Sequence, residues 1–130
     1  MVTRFRAELA TASLTAAFGL AVMIGAPQAG SVHARMFPGI SLSQLRPGNA
    51  WLAGLNAVPL PASLPAVSIW SWHDSMVAPQ LSARLPGARD VELAGVGHNA
   101  LLTDPEVARR VAEELGKASS GLYVGGRPAR

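Results

Sequence analysis

The chain has 130 residues, no cysteine, 49% hydrophobic residues and only 15% charged ones; this excludes a disordered polyelectrolyte and fits one domain that buries about two thirds of its unfolded surface. Without cysteine there is no disulfide framework, thiolate nucleophile, iron–sulfur cluster or cysteine-type zinc site. The 11 basic residues outnumber the 8 acidic ones, but residues 36–116 hold five arginines against seven acids and no aromatic residues interleave with a basic stripe, so no nucleic-acid partner is predicted.

The N-terminal third has two readings. Residues 9–34 contain no Asp, Glu, Lys or Arg and follow a head carrying Arg4, Arg6 and Glu8. That is the outline of a secretory signal, with Val32-His33-Ala34 as a small-x-small cleavage site. On this reading the protein is exported, or anchored to a membrane through residues 9–26, although Thr11, Ser13, Thr15 and Gly19 dilute that run as a span. The second reading divides the stretch. Residues 5–17 are rich in helix formers, and residues 20–25 (LAVMIG) form a short apolar run of the kind that parallel sheets bury on both faces. Ala26-Pro27-Gln28-Ala29-Gly30 then opens a loop. The resulting division is a helical or signal-like segment over 1–19, a domain over 20–117 and a flexible tail over 118–130.

Beyond Ala26 the sequence is loop-like to Ser43, and a short helix is predicted from near Pro47, with Trp51, Leu52 and Leu55 on its apolar stripe. Pro59, Pro61 and Pro65 make a stiff extended connector that cannot be helical. Residues 66–72 (AVSIWSW) read as a strand ending at His73-Asp74, residues 78–88 as a loop or short helix closed by Pro86-Gly87, and residues 90–94 as another strand. The loop Gly95-Val96-Gly97-His98-Asn99 follows. A last helix runs to about Lys117, capped by Thr103, with Pro105 and Glu106 in its first turn and Val107, Val111 and Leu115 on one face. Strands separated by helices or long crossovers predict an α/β fold of about three parallel strands with flanking helices.

In such sheets chemistry gathers just past the carboxyl ends of strands, and Asp74 and His98 both stand there. A carboxylate after one strand and an imidazole after the next is the pairing in which the acid fixes the ring's tautomer and the far nitrogen moves a proton. The plainer reading has Asp74 capping the turn at Met76 and Val77 and His98 bonding a backbone carbonyl. Asp90 and Asp104 are alternatives for the acid, but one opens a strand and the other a helix, so both read as structural. His33, His73 and His98 lack ligand-like spacing, so no metal and no cofactor is predicted.

The words around these residues resemble a known family. SIWSWHDSMVAP followed by SARLPGARDVELAGVGHNALLTDPEVARRV resembles the C-terminal part of the α/β-hydrolase fold in bacterial triacylglycerol lipases and esterases. There an Asp-x-x-Val-x-Pro stretch carries the triad acid and a Gly-x-Gly-His stretch carries the base. AVMIGAPQAGS resembles the strand and loop after the nucleophile helix, and SLSQLRPGNAWLAGLN the Gln-Leu-x-Pro-Gly segment beyond, so the resemblance spans residues 20–116. It implies a carboxylic ester hydrolase with Asp74 as acid and His98 as base; Gln28 stands where many relatives have histidine.

What the family also needs, a Gly-x-Ser-x-Gly nucleophile elbow, is absent from the sequence. The nearest string, Gly39-Ile40-Ser41-Leu42-Ser43, lacks the second glycine and follows the wrong strand; Ser68 and Ser71 lie within a strand, and Ser75 and Ser82 have no elbow. The expectation is therefore a lipase-like C-terminal fragment from a truncated or frameshifted reading frame, inactive alone and cytoplasmic. The alternatives are a small exported or membrane-anchored binding protein and a pseudoenzyme partner for a separate N-terminal half. The first strand is expected to present a bare apolar edge, open to such a half or to self-association.

Overall fold

The computed structural model describes residues 20–119 together with the backbone of 123–124 and 127–128; the helical or signal-like segment expected over 1–19 lies outside the described residues. Three strands, β1 (Ala21–Ile24), β2 (Ala66–Ser71) and β3 (Arg89–Leu93), form one sheet in that order, and both pairings are parallel. Ala21 pairs with Ala66 and Ile24 with Ile69, while Val67 pairs with Arg89 and Ser71 with Leu93. With helices flanking this sheet, the fold is a small α/β one.

β2 is central because its residues suit burial on both faces. All six are buried, and the two-residue period of a strand divides them. Val67 and Ile69 join Val91, Leu93, Val96, Leu101 and Val107 in the main core, against which Leu20, Val22, Ile24 and Val111 pack. Trp70 points the other way, into a smaller cluster with Val77 and Ala83. The two β2 serines serve the backbone: Ser68 Oγ accepts from Leu85 N at 3.3 Å and Ser71 Oγ from His73 N at 3.1 Å.

The β1-to-β2 crossover holds more helix than its sequence suggests. Within the stretch read as loop, Val32–Arg35 form a 3-10 turn capped by the Ser31 side chain, and α1 (Ile40–Gln44) starts behind Gly39, whose φ of 134° is open to glycine alone. The predicted helix appears as α2 (Ala50–Asn56), which starts where Asn49 Oδ1 accepts the Trp51 N–H at 2.8 Å. The proline connector contains no helix. Between β2 and β3 the chain makes a 3-10 turn at Gln80–Ala83.

α3 (Pro105–Ser119) lies against the main core through Val107 and Val111. Its cap differs from expectation. Asp104 Oδ1 accepts from Glu106 N at 2.8 Å and from Val107 N at 3.4 Å, whereas Thr103 Oγ1 turns back to Ala100 O. A carboxylate placed there also faces the positive end of the helix dipole. Leu115, expected on the apolar face, is 49% exposed, and Glu114 is 1% exposed instead. Burial of that charge is compensated by Arg89 of β3 and by Lys117 Nζ at 2.7 Å. The helix extends two residues into the stretch expected as a tail, where β4 (Tyr123–Val124) also pairs antiparallel with β5 (Arg127–Pro128).

Candidate active site

β2 hands its chain to the site through a tight turn. Trp72 N donates to Leu93 O at 3.1 Å and Asp74 N to Ser71 O at 3.2 Å, which folds Asp74 back under the sheet edge at 2% exposure. Its two oxygens do different work. Oδ1 accepts the N–H groups of Met76 and Val77, both at 2.8 Å, while Oδ2 meets His98 Nδ1 at 2.8 Å. The sequence posed turn capping and imidazole pairing as rivals; one carboxylate does both. Four hydrogen-bonding directions on a carboxylate make this possible, and three partners compensate its desolvation.

His98 arrives from the next strand. After Leu93 the chain turns at Gly95 (φ +77°), and His98 stands just before the 3-10 turn Asn99–Leu102 without capping it through its side chain. The loops are tied together, because Gly95 N donates to His73 Nδ1 at 2.8 Å. With the Asp74 carboxylate at Nδ1, that nitrogen carries the proton, and in the neutral ring Nε2 holds the lone pair. The His98 side chain is 28% exposed, and its only hydrogen bond among the described residues is the one to Asp74. Nε2 is thus open to an incoming hydroxyl. No described serine hydroxyl bonds to it.

The third wall is one that sequence reasoning missed. Gly25, directly after β1, donates its N–H to Ile69 O at 2.9 Å and has φ +54°. A Cβ there would stand 2.8 Å from Leu101 Cδ1, 3.3 Å from Asp74 Oδ2 and 3.5 Å from His98 Cε1. All three strand ends therefore converge on the pair, and the first closes it only because it has no side chain. The available signal was positional: Gly25 stands at the same sheet edge as Asp74 and His98.

Around this centre, Ser31 Oγ donates to Met76 O at 2.6 Å and accepts from Ala78 N at 3.2 Å, and Gln80 Nε2 donates to Asp74 O at 3.0 Å. These bonds hold the loop that carries the acid. The alternative acids are structural: Asp90 pairs with Arg84 at 2.7 Å, and Asp104 caps α3. Gln28 takes part through its carbonyl, which accepts from Asn56 Nδ2 at 2.6 Å. Among the described residues, no three His, Asp or Glu side chains gather as a metal site.

No protein-family model matches the chain, and no curated protein matches it.

Proposed function

We propose that Asp74 and His98 are the acid and base of a carboxylic ester hydrolase of lipase or esterase type, and that this chain supplies that half of the catalytic group without the nucleophile. The observation that carries the reading is the 2.8 Å contact between a carboxylate 2% exposed and Nδ1 of an imidazole whose Nε2 is unengaged, at the carboxyl edge of a parallel sheet. When a hydroxyl reaches Nε2, the ring takes its proton as the oxygen attacks the ester carbonyl, and the Asp74 carboxylate stabilises the imidazolium. That proton then passes to the departing alkoxide. Water, deprotonated in the same way, releases the acid and frees the hydroxyl.

The nucleophile and the oxyanion donors come from a strand and elbow that these 130 residues do not contain. β1 offers a place for such a strand. Ala21 N and Gly25 N donate toward β2, so strand alternation turns the backbone groups of Val22 and Ile24 to the side of β1 that no described strand occupies. Against the exported or anchored reading stands the role of residues 21–24 in the sheet: cleavage after Ala34 would remove β1 and Gly25.

The test is hydrolysis of p-nitrophenyl butyrate. The chain alone should show no rate above that of His98→Ala. Co-expression with a polypeptide bearing a Gly-x-Ser-x-Gly elbow, sought in the genomic sequence upstream, should restore a rate that His98→Ala abolishes and Asp74→Asn lowers by about ten-thousandfold. Labelling of a serine in the chain alone by a phosphonate inhibitor would overturn the proposal, as would a restored rate indifferent to His98→Ala.

A further inference from the structure

The crossover layer carries a surface whose composition the dyad does not explain. Of the eleven large hydrophobic residues exposed among the described ones, nine lie between Val32 and Leu81. Five of them are brought together. Val32, Met36, Phe37 and Ile40 follow one another along the 3-10 turn and into α1. Met76 is held beside them, because Ser31 Oγ bonds Met76 O at 2.6 Å and Val32 N bonds Ala78 O at 2.8 Å. Ile40 is 81% exposed and Phe37 58%, so neither belongs to the core. Apolar exposure concentrated in this way marks a surface that meets something.

The charges say what. Residues 26–88 contain Arg35, Arg46 and Arg84 and a single acid, Asp74, which is buried and turned toward His98. Arg84 is matched by Asp90. Arg46 lies against the 3-10 turn through its Nε bond to Ala34 O at 3.2 Å, Arg35 is exposed within the same turn, and neither makes a salt bridge among the described residues. α3 contrasts with this: it matches its cations with Glu106, Glu113 and Glu114.

We propose that this face, formed by the Val32–Arg35 turn, the link into α1 and the loop after Asp74, docks on an anionic lipid bilayer. Phe37, Ile40 and Met36 enter the headgroup boundary, to a depth of about 5–10 Å for such apolar side chains, while Arg35 and Arg46 meet lipid phosphates. No helix among the described residues is long and apolar enough to cross a membrane. An apolar protein groove would use the same side chains but has no need of the unmatched arginines, and the bilayer accounts for both.

The experiment is flotation of the full chain with vesicles of phosphatidylcholine alone or with about one third phosphatidylglycerol, at low and physiological salt. Binding should be at least about tenfold stronger on the anionic vesicles. The double variant Phe37→Ser/Ile40→Ser should lose at least about tenfold, and Arg35→Gln about fivefold on anionic vesicles only. Leu115→Ser, on α3, and His98→Ala should bind as the unaltered chain does, which separates this proposal from the hydrolase reading. The two replaced side chains are exposed, so circular dichroism should show the double variant folded. Absence of binding to anionic vesicles would overturn the proposal. So would binding that the double variant leaves intact, which assigns attachment to another segment, or a dimer that the double variant dissolves without any lipid binding.

Discussion

Gly25→Ala tests whether β1 is a wall of the dyad or only its neighbour. At φ +54° an alanine is strained by about 1–2 kcal/mol. Its Cβ would stand 2.8 Å from Leu101 Cδ1, and Leu101 is fully buried, so the contact cannot be relieved by swinging into solvent. Overpacking of that kind costs about 1–3 kcal/mol. Against these, alanine restricts the unfolded chain and returns about 0.4–1 kcal/mol. The net loss is about 1–4.5 kcal/mol. Gly95→Ala supplies the control, because Gly95 also has positive φ (+77°) but a Cβ there meets nothing within 4 Å; it isolates the backbone strain. Urea unfolding followed by tryptophan fluorescence measures both, with Trp70 buried as reporter. In the same variants, nitrogen-15 spectra of the His98 ring should change for Gly25→Ala and not for Gly95→Ala, since only the former crowds Cε1 and Oδ2. If Gly25→Ala destabilises no more than Gly95→Ala, the close-packed third wall is wrong.

Two further outcomes are expected. Asp74→Asn keeps an oxygen for Met76 N and Val77 N but presents an amide to His98, so it should lose about 1.5–3 kcal/mol and move the ring proton from Nδ1 to Nε2. Asp74→Ala, which also abandons the turn, should lose about 1–3 kcal/mol more; an Asn variant that retains the Nδ1–H tautomer would refute the pairing. On α3, hydrogen bonds from Arg109 and then Arg110 hold the Glu106 carboxyl down from the usual 4.5 to about 2. A lowered value means that the stability from this group is complete above pH 4.5 and is lost as pH falls through about 2. Carbon-13 titration should place its midpoint near 2, rising toward 4.5 in Arg109→Ala, and an unshifted midpoint in the unaltered chain would count against the network.

The parts of the fold legible in the sequence were those that one strand or helix specifies by itself. LAVMI and AVSIW are apolar and β-branched over lengths too short for buried helices, and both are strands. Asp74 and His98 were legible because strand ends alone determine where they stand. What escaped depended on partners far along the chain. Glu114 looks like a surface residue until Arg89, 25 residues earlier, is placed opposite it. Leu115 keeps the helical spacing of Val107 and Val111 yet is exposed, since the burial it would need is not furnished by the described sheet. The pieces at Val32–Arg35 and Ile40–Gln44 are fixed by Ser31 and Gly39, residues that read equally well as loop. Thr103 and Asp104 are both good caps, and the chain chose the carboxylate.

The double use of Asp74 bears on how loss of chemistry would be recorded in this fold. Its Oδ1 shapes the turn at Met76 and Val77 whatever His98 does, so a descendant no longer selected for catalysis would still be penalised for losing the acid. His98 has no comparable obligation: among the described residues its ring makes one hydrogen bond, to that acid. Persistence of the aspartate across a lineage is therefore a record of folding, and persistence of the histidine is the record of chemistry.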